Sequence, residues 1–226
     1  MWGDLEKRLG PLRSELAAHL DGVVSDIRDR RFCSKLAALL HDVGKPATRS
    51  IGDDGRVHFF DHEKVGADLA AERLSALRFS GAEMALVHTL VLYHLRPMHL
   101  AQAKGPSRRA IYRYFKATGD AGIEVGLLAL ADLLAVWGPA LPSRRWSRGL
   151  DVVTTLLTAY FDQPERVAPR PLINGHELME ALALPPGPEV GRLLEAVREA
   201  QAAGQVDSRE AAFALATRLM NTRETG

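Results

Sequence analysis

The stretch KLAALLHDVGKPATRS, residues 35–50, joins a helical run of Leu and Ala to an adjacent imidazole and carboxylate. His41 and Asp42 are followed closely by Gly44 and Pro46, residues that end helices. Neighbouring side chains on a helix point about 100° apart, so both reach one site only where the helix ends and the chain turns. We interpret the pair as metal ligands; a simple polar helix end is the alternative.

The remaining sequence is mostly helical in pattern, because apolar residues recur at three- and four-residue spacing. The predicted helices cover 32–40, 62–77, 83–95, 107–116, 123–137 and 150–161. The only strand-like segment is TRSIGDDGRVHFF (48–60), where Asp54-Gly55 is a tight-turn dipeptide that predicts a short hairpin. We therefore predict an all-α fold with one hairpin insertion.

A change in composition marks a boundary near residue 163. Three prolines lie in DQPERVAPRPL (162–172), which is typical of a linker or a sharp corner. Beyond it, Asn174 and Glu177 have the spacing of a capping box at a helix start. The sequence predicts two segments, a helical body at 1–163 and a helical module at 164–226.

Composition excludes several classes of protein. The 226 residues carry a net charge of +1, with 46% hydrophobic and 25% charged residues, so nucleic-acid binding would need a local basic patch. Cys33 is the one cysteine, which rules out a disulfide within the chain and fits a reducing cytoplasm. The N-terminus lacks the apolar core of a signal peptide, and Asp132 interrupts the most apolar segment, so we expect no membrane span.

Asp132 lies inside GLLALADLLAVW (126–137). Its neighbours three and four residues away are apolar on both sides, which predicts a helix buried on nearly all faces. Because an unpaired buried carboxylate is unfavourable, Asp132 should have a partner or a metal. The alternative is a helix with one polar stripe through Glu124 and Asp132.

Two histidines complete the candidate site: His62 begins the helix after the hairpin, and His94 ends the next one. The predicted metal ligands are His41, Asp42, His62, His94 and Asp132. Such a set suits a divalent cation (Mn, Fe, Co, Ni or Zn, with Mg also open), which lowers the pKa of bound water and makes a nucleophile near neutral pH. A plain helix start is the alternative for His62, and an interaction with the helix dipole is the alternative for His94.

Three residues near the pair are candidates for contact with a phosphate. Lys45 could neutralise the negative charge that develops on the phosphate during hydrolysis. The predicted catalytic residues are Lys45 and Asp42, the latter as a metal ligand. Arg49 could assist Lys45 on the phosphate, and His58, beside two phenylalanines, could line the pocket.

In order along the chain, these motifs resemble a known family. LLHDVGKP (39–46), FFDHEKVGADLA (59–70) and the Asp of LLALADLLA (127–135) resemble the HD superfamily of metal-dependent phosphohydrolases. RRAIYRYFKATGDAGIEVGLLALAD (108–132) and PLINGHELMEALALPPGPEVGRLLEAVREAQAAGQVDSREAA (171–212) extend the resemblance to the C-terminal half of bacterial tRNA nucleotidyltransferases and poly(A) polymerases. The resemblance implies an HD-domain helical bundle, an RNA-binding tail and a substrate among nucleotides or RNA ends.

The sequence departs from that family at two points. The family carries an N-terminal polymerase head, and no motif here matches its Gly-rich loop and paired carboxylates, so we expect no addition of CCA or A by this chain on its own. A stand-alone protein and a fragment both stay open. The HD family also has a first metal ligand, a His on an earlier helix; His19 is the one upstream His, and we favour a packing role for it.

The stretch KGPSRRAIYRYFK interleaves cations with aromatic residues. Cations suit an RNA backbone and aromatic rings can stack on bases, although at helical spacing the aromatics also form a core face. The predicted RNA-binding residues are Lys104, Arg108, Arg109, Arg113 and Lys116.

Two main functions follow from the sequence. The first is a metal-dependent phosphohydrolase that acts on phosphomonoesters or 2′,3′-cyclic phosphodiesters of nucleotides or RNA ends. The alternative is a non-catalytic, tRNA-binding fragment of a nucleotidyltransferase-like protein. A structural domain with a vestigial site is a third reading.

Overall fold

The computed structural model describes residues 1–102 and 105–224, and nearly all of its regular structure is helical. The helices are α1 Trp2–Leu9, α2 Arg13–Leu20, α3 Arg30–Leu40, α4 Lys45–Thr48, α5 His62–Ala76, α6 Gly81–Tyr93, α7 Arg96–Gln102, α8 Arg108–Thr118, α9 Gly122–Trp137, α10 Ser143–Asp162, α11 Pro164–Val167, α12 Gly175–Leu182, α13 Pro188–Ala202 and α14 Arg209–Glu224. The predicted all-α class is confirmed.

Within residues 1–102 and 105–224, four short strands form two antiparallel hairpins. The predicted hairpin is present as β3 Arg49–Ile51 and β4 Val57–Phe59. The structure adds a second hairpin, β1 Val23–Ser25 with β2 Arg28–Asp29, which the sequence analysis missed. With two or three residues per strand, its pattern is too short to be distinguished from a loop.

The contacts divide the chain into two compact units. The first contains Met1–Gly105 and Thr118–Thr158, and the second contains Pro106–Ala117 and Ala159–Gly226. The sequence predicted a single boundary between residues 163 and 164, whereas the structure groups most of α8 with the C-terminal helices. The physical reason is that the cations of α8 pair with acidic residues of α13, as described below.

The first unit is built around α5 and α6. On α5, Ala67 and Ala70 are fully or almost fully buried, and a Cβ atom added to Gly66 would lie 3.5 Å from Val91 of α6. Small side chains allow close approach of two helix backbones. The buried residues at the centre of this unit are Cys33, Ala37, Leu74, Val87, Leu90, Val91, Ile123, Val125 and Ala129.

A buried carboxylate ties the first hairpin to α6. Ser80 and Glu83 form a capping box at the start of α6. The Glu83 carboxylate also accepts hydrogen bonds from Ser25 Oγ at 2.6 Å and from Arg28 Nη1 at 3.0 Å. Burial alone would raise the pKa of Glu83, but the hydrogen bonds from Ser25, Ser80 and Arg28 outweigh burial and lower the pKa to about 2.

The second unit has a core of its own, formed by α12, α13 and α14. Its buried residues are Ile173, Leu178, Val190, Leu193, Val197, Ala200, Val206, Ala212 and Ala216. The predicted capping box of Asn174 and Glu177 is present at the start of α12, with the Asn174 side chain accepting from the Glu177 amide. Ile111 and Tyr114 of α8 are also buried.

By length and composition alone, the helical stretch Arg108–Ala140 would suffice to cross a membrane. Its most apolar window is, however, 56% buried inside the protein. The core helix of a globular fold passes the same test, so this stretch is weak support for a membrane span.

Candidate metal centre

Four helices deliver the five predicted metal ligands to one place. His41 and Asp42 directly follow the last residue of α3, and His62 is the first residue of α5. His94 is the C-cap residue of α6, and Asp132 lies in the third turn of α9. We refer to these five residues as the candidate metal centre.

A glycine contact places α5 against the loop that follows α3. A Cβ atom added to Gly44 would lie 2.2 Å from the carbonyl oxygen of His62 and 2.6 Å from the amide nitrogen of Gly66. Real Cβ atoms do not approach other atoms so closely, so only glycine fits here. This contact brings His62 next to Asp42, two residues before Gly44.

The three histidines share one orientation. Each imidazole Nδ1 lies within hydrogen-bond distance of the backbone carbonyl three residues earlier. The pairs are His41 with Ala38 at 2.8 Å, His62 with Phe59 at 2.8 Å, and His94 with Val91 at 2.7 Å. A carbonyl can only accept, so Nδ1 carries a proton. In the neutral ring this leaves a lone pair on Nε2, the arrangement typical of metal-bound imidazole.

The free ring nitrogens converge on Asp42. His62 Nε2 lies 3.4 Å from one carboxylate oxygen, Oδ1, and His94 Nε2 lies 3.9 Å from the same oxygen. His41 Nε2 lies 3.4 Å from Asp42 Oδ2 and 3.4 Å from Asp132 Oδ1. Ligand atoms of His41, Asp42 and His94 all lie within 4.8 Å of one another. Such separations are close to those between atoms that share a cation at about 2.0–2.2 Å.

Burial makes this arrangement unfavourable without a cation. Within the described residues, Nε2 of His41, His62 and His94 is buried and has no hydrogen-bond partner. The His94 side chain is 1% exposed, whereas Asp42 is 34% exposed, so the centre opens to solvent on the Asp42 side. Three buried lone pairs and two carboxylates fit a divalent cation, which would satisfy all of them.

The protonation equilibria in the centre follow from these contacts. The Asp132 carboxylate raises the pKa of His41, although burial opposes the charged imidazole. The same contact lowers the pKa of Asp132. Burial lowers the pKa of His94, and the neighbouring His41 and His62 act in the same direction. Asp132 is thus held as an anion and His94 as a neutral imidazole, the forms that ligate metals.

Asp132 is less buried than the sequence predicted. The first turns of α9 are buried on all sides, but its last turns are partly open, with Val136 67% exposed. The Asp132 side chain is 23% exposed. The expectation of a helix buried all round was therefore wrong for its C-terminal half, whereas a charge-compatible neighbour is present, since His41 Nε2 lies 3.4 Å from Asp132 Oδ1.

The three residues predicted to bind the phosphate lie at different places. Lys45 Nζ donates to Asp42 Oδ2 at 2.5 Å, so Lys45 lies directly beside the candidate metal centre. The His58 ring stacks on Phe60 with centroids 4.9 Å apart, and its Nε2 lies 3.9 Å from Asp54 at the hairpin turn. Arg49 is exposed at the start of β3. Within the described residues, no ion pair or hydrogen bond links Arg49 or His58 to the candidate metal centre.

His19 lies outside the candidate metal centre. Its Nε2 is 3.0 Å from Glu124 Oε2, and Arg30 binds the same carboxylate. Burial raises the pKa of Glu124, but hydrogen bonds from His19 and Arg30 outweigh this and lower it. The favoured packing role for His19 agrees with this position. In the sequence analysis Glu124 appeared only as part of a polar stripe, and the uncharged residues on either side of it, 121–123 and 125–131, were the available signal for a buried pair.

The predicted RNA-binding cations of α8 take part in ion pairs inside the second unit. Arg109 and Arg113 both bind Glu199, at 2.9 and 2.8 Å, and Lys116 binds Glu195 at 2.5 Å. Arg108 Nη1 is near Gly204, since a Cβ added there would lie 2.5 Å from it. Lys104 lies outside the described residues. The predicted contact of these cations with RNA stays a prediction.

Comparison with known proteins gives two family matches. The family described as HD domain matches residues 12–137, and the family described as tRNA nucleotidyltransferase domain 2 matches residues 155–216. The first match includes all five residues of the candidate metal centre. The second lies in the C-terminal part of the chain.

Three curated relatives are similar to this chain. An A-adding tRNA nucleotidyltransferase of Deinococcus radiodurans is 36% identical over 191 residues, which are 84% of this chain and 42% of that protein. A CC-adding enzyme of Thermus thermophilus is 37% identical over 80% of this chain and 38% of its own length. A CC-adding enzyme of Synechocystis is 28% identical over 67% of this chain and 33% of its own. The chain therefore spans less than half the length of these relatives.

Proposed function

The chain belongs to the HD-domain family of the metal-dependent phosphohydrolase superfamily, and from this premise we propose that it hydrolyses phosphate esters at the candidate metal centre. The proposed substrates are phosphomonoesters or 2′,3′-cyclic phosphodiesters of nucleotides or RNA ends. The observation that carries the proposal is the convergence of three partnerless His Nε2 atoms on Asp42 and Asp132. A purely structural cluster would leave these buried lone pairs unsatisfied.

In this proposal each residue has a defined task. His41, His62 and His94 would offer their Nε2 atoms to the cation, and the contact of each Nδ1 with a backbone carbonyl fixes the direction of the ring. Asp42 and Asp132 supply negative charge. A bound divalent cation supplies Lewis acidity and lowers the pKa of water, which makes a nucleophile near neutral pH.

Lys45 is the residue proposed to meet the substrate phosphate. Its ammonium group is held at Asp42, and the Lys45 side chain as a whole is 38% exposed to solvent. A phosphate arriving from that side would meet a positive charge beside the ligands, and such charges stabilise the developing negative charge of phosphoryl transfer. Lys45→Ala should lower the turnover number and leave cation binding nearly intact.

The alternative is a non-catalytic tRNA-binding protein, and two observations favour it. His19, the one histidine before the HD pair, binds Glu124 and not the centre. The named relatives are tRNA nucleotidyltransferases, and the family described as tRNA nucleotidyltransferase domain 2 matches residues 155–216. On this alternative the centre would be a remnant, and tRNA would be the partner. A cytoplasmic location stays a prediction.

The deciding experiment measures cation binding and hydrolysis separately. Metal-depleted protein is titrated with Mn, Co, Ni, Zn or Mg in a calorimeter and then assayed with 2′,3′-cyclic AMP and p-nitrophenyl phosphate. Asp42→Asn, a near-isosteric change, should abolish both signals. His176→Gln is the matched control because His176 is exposed in the second unit. Both signals should survive in the control.

The possible outcomes separate the two functions. Cation-dependent turnover that Asp42→Asn abolishes supports the phosphohydrolase. Cation binding without turnover, together with salt-sensitive tRNA binding by metal-free protein, supports the alternative. Absence of cation binding would contradict the metal centre itself.

A further inference from the structure

A cavity separate from the candidate metal centre lies in the first unit between α7, α9 and the start of α10. It has a volume of about 400 Å³. Its apolar floor and its basic rim are formed by Met98, Leu133, Pro142, Arg144, Arg145 and Arg148. A volume of this size is within the range of small-molecule sites.

The rim is positive and is not neutralised. The three arginines are exposed, and none of them forms an ion pair within the described part of the chain. No acidic residue is among the described residues that line the cavity. Three like charges within two turns of α10 repel one another, and a bound anion would relieve that repulsion. The positive end of the α10 dipole adds to the same field.

The floor of the cavity is firmly packed. A Cβ atom added to Gly149 would lie 3.2 Å from Leu133 and 3.3 Å from Met98, so α7, α9 and α10 meet closely beneath it. At the rim, the Arg145 guanidinium lies 4.7 Å from the centre of the Trp137 ring. This arrangement offers a flat cation, a flat aromatic ring and an apolar floor side by side.

We propose that this cavity binds a nucleoside phosphate, with the phosphate on the three arginines and the base on the apolar floor. Guanidinium groups bind phosphate oxygens through paired hydrogen bonds and stack on planar rings. The ligand could be a free nucleotide or a nucleotide unit of RNA, because both present the same base and phosphate.

The proposal does not depend on the phosphohydrolase function. Asp132 faces His41, whereas Leu133, the next residue of α9, lines the cavity. The two sites are therefore on different faces of one helix, and binding in the cavity needs no cation. It can be tested in protein whose metal centre has been disabled.

The test uses equilibrium binding in the presence of EDTA, with Asp42→Asn as the background. Fluorescently labelled AMP is titrated by anisotropy, and unlabelled AMP, adenosine, inorganic phosphate, octyl phosphate and a short oligoadenylate compete for it. Arg145→Gln and Arg148→Gln each remove one rim charge. Arg73→Gln is the control, since Arg73 is an exposed helical arginine of the same unit. Thermal melts verify that all variants are folded.

We expect each rim variant to weaken AMP binding roughly tenfold, the value of one lost charged hydrogen bond, and Arg73→Gln to leave it unchanged. Tighter competition by oligoadenylate than by AMP assigns the site to RNA, and the reverse assigns it to free nucleotides. Equal losses in the rim and control variants would overturn the proposal. Phosphate or octyl phosphate competing as well as AMP would overturn the base contact, and a lack of AMP binding would overturn the site.

Discussion

Gly44→Ala tests whether the close contact between the loop after α3 and the start of α5 assembles the candidate metal centre. Gly44 has φ −77° and ψ −16°, a conformation that alanine adopts without strain. Any loss of stability must therefore come from the added methyl group. Its carbon would lie 2.2 Å from the His62 carbonyl oxygen and must move by at least about 0.8 Å to reach 3.0 Å.

The expected loss follows from that displacement. Both close neighbours are backbone atoms of α5, which move only if the helix start moves. Overpacking of this kind costs about 1–3 kcal/mol, and we expect the upper end. Since His62 begins α5, its Nε2 would move away from Asp42, and ligand sites tolerate only about 0.5 Å of misplacement. Cation affinity should fall roughly tenfold or more.

The assay pairs urea denaturation of metal-free protein with calorimetric titration of Mn or Co. Gly81→Ala is the matched control, because Gly81 begins α6 and an added Cβ there meets nothing within 4 Å. The control should be neutral or slightly stabilising. The free energy of unfolding of Gly44→Ala could instead lie within about 0.5 kcal/mol of the parent value, the range of ordinary surface substitutions. If the variant also binds cations equally well, the close contact at Gly44 does not assemble the centre.

Three further predictions concern buried polar groups. The pKa of Glu83 is about 2, against an ordinary 4.5, and this adds stability that is complete above pH 4.5 and is lost as pH falls toward 2. Glu83→Gln should therefore lower the stability at neutral pH and flatten the dependence of the urea midpoint on pH over that interval. An unchanged pH dependence would refute this prediction. Glu124→Gln removes the carboxylate shared by His19 and Arg30, and we expect the free energy of unfolding in urea to fall by about 3 kcal/mol. A fall of less than about 1 kcal/mol, typical of an exposed ion pair, would contradict the buried pairing. Burial raises the pKa of the Cys33 thiol to about 11, so native protein should resist iodoacetamide and react only on unfolding; rapid labelling of the folded protein would show that Cys33 is accessible.

The local elements were largely predictable. The helical periodicity, the hairpin at β3 and β4 and the capping box at Asn174 depend on residues close together in sequence, and the structure has all of them. The strands β1 and β2 were not predictable, because their pairing is stabilised by the contact of Ser25 and Arg28 with Glu83, more than fifty residues away.

The candidate metal centre was predictable in its members but not in its geometry. The HD pair and Asp132 are conspicuous because polar groups seldom interrupt apolar helices. The common orientation of the three imidazoles depends on where each backbone carbonyl lies. The approach of His62 to Asp42 depends on the absence of a side chain at Gly44, and spacing along the chain contains neither fact.

The sequence by itself determined the helical class, the ends of most helices and the residue types able to hold a cation, because periodicity, capping and side-chain chemistry are local properties. Only the tertiary structure decided which groups meet. It pairs His19 with Glu124, pairs the α8 cations with acidic residues of α13, and leaves Arg144, Arg145 and Arg148 around an open cavity. The physical reason is that the contacts of a charged side chain depend on how helices distant in sequence pack, and packing is a property of the whole chain.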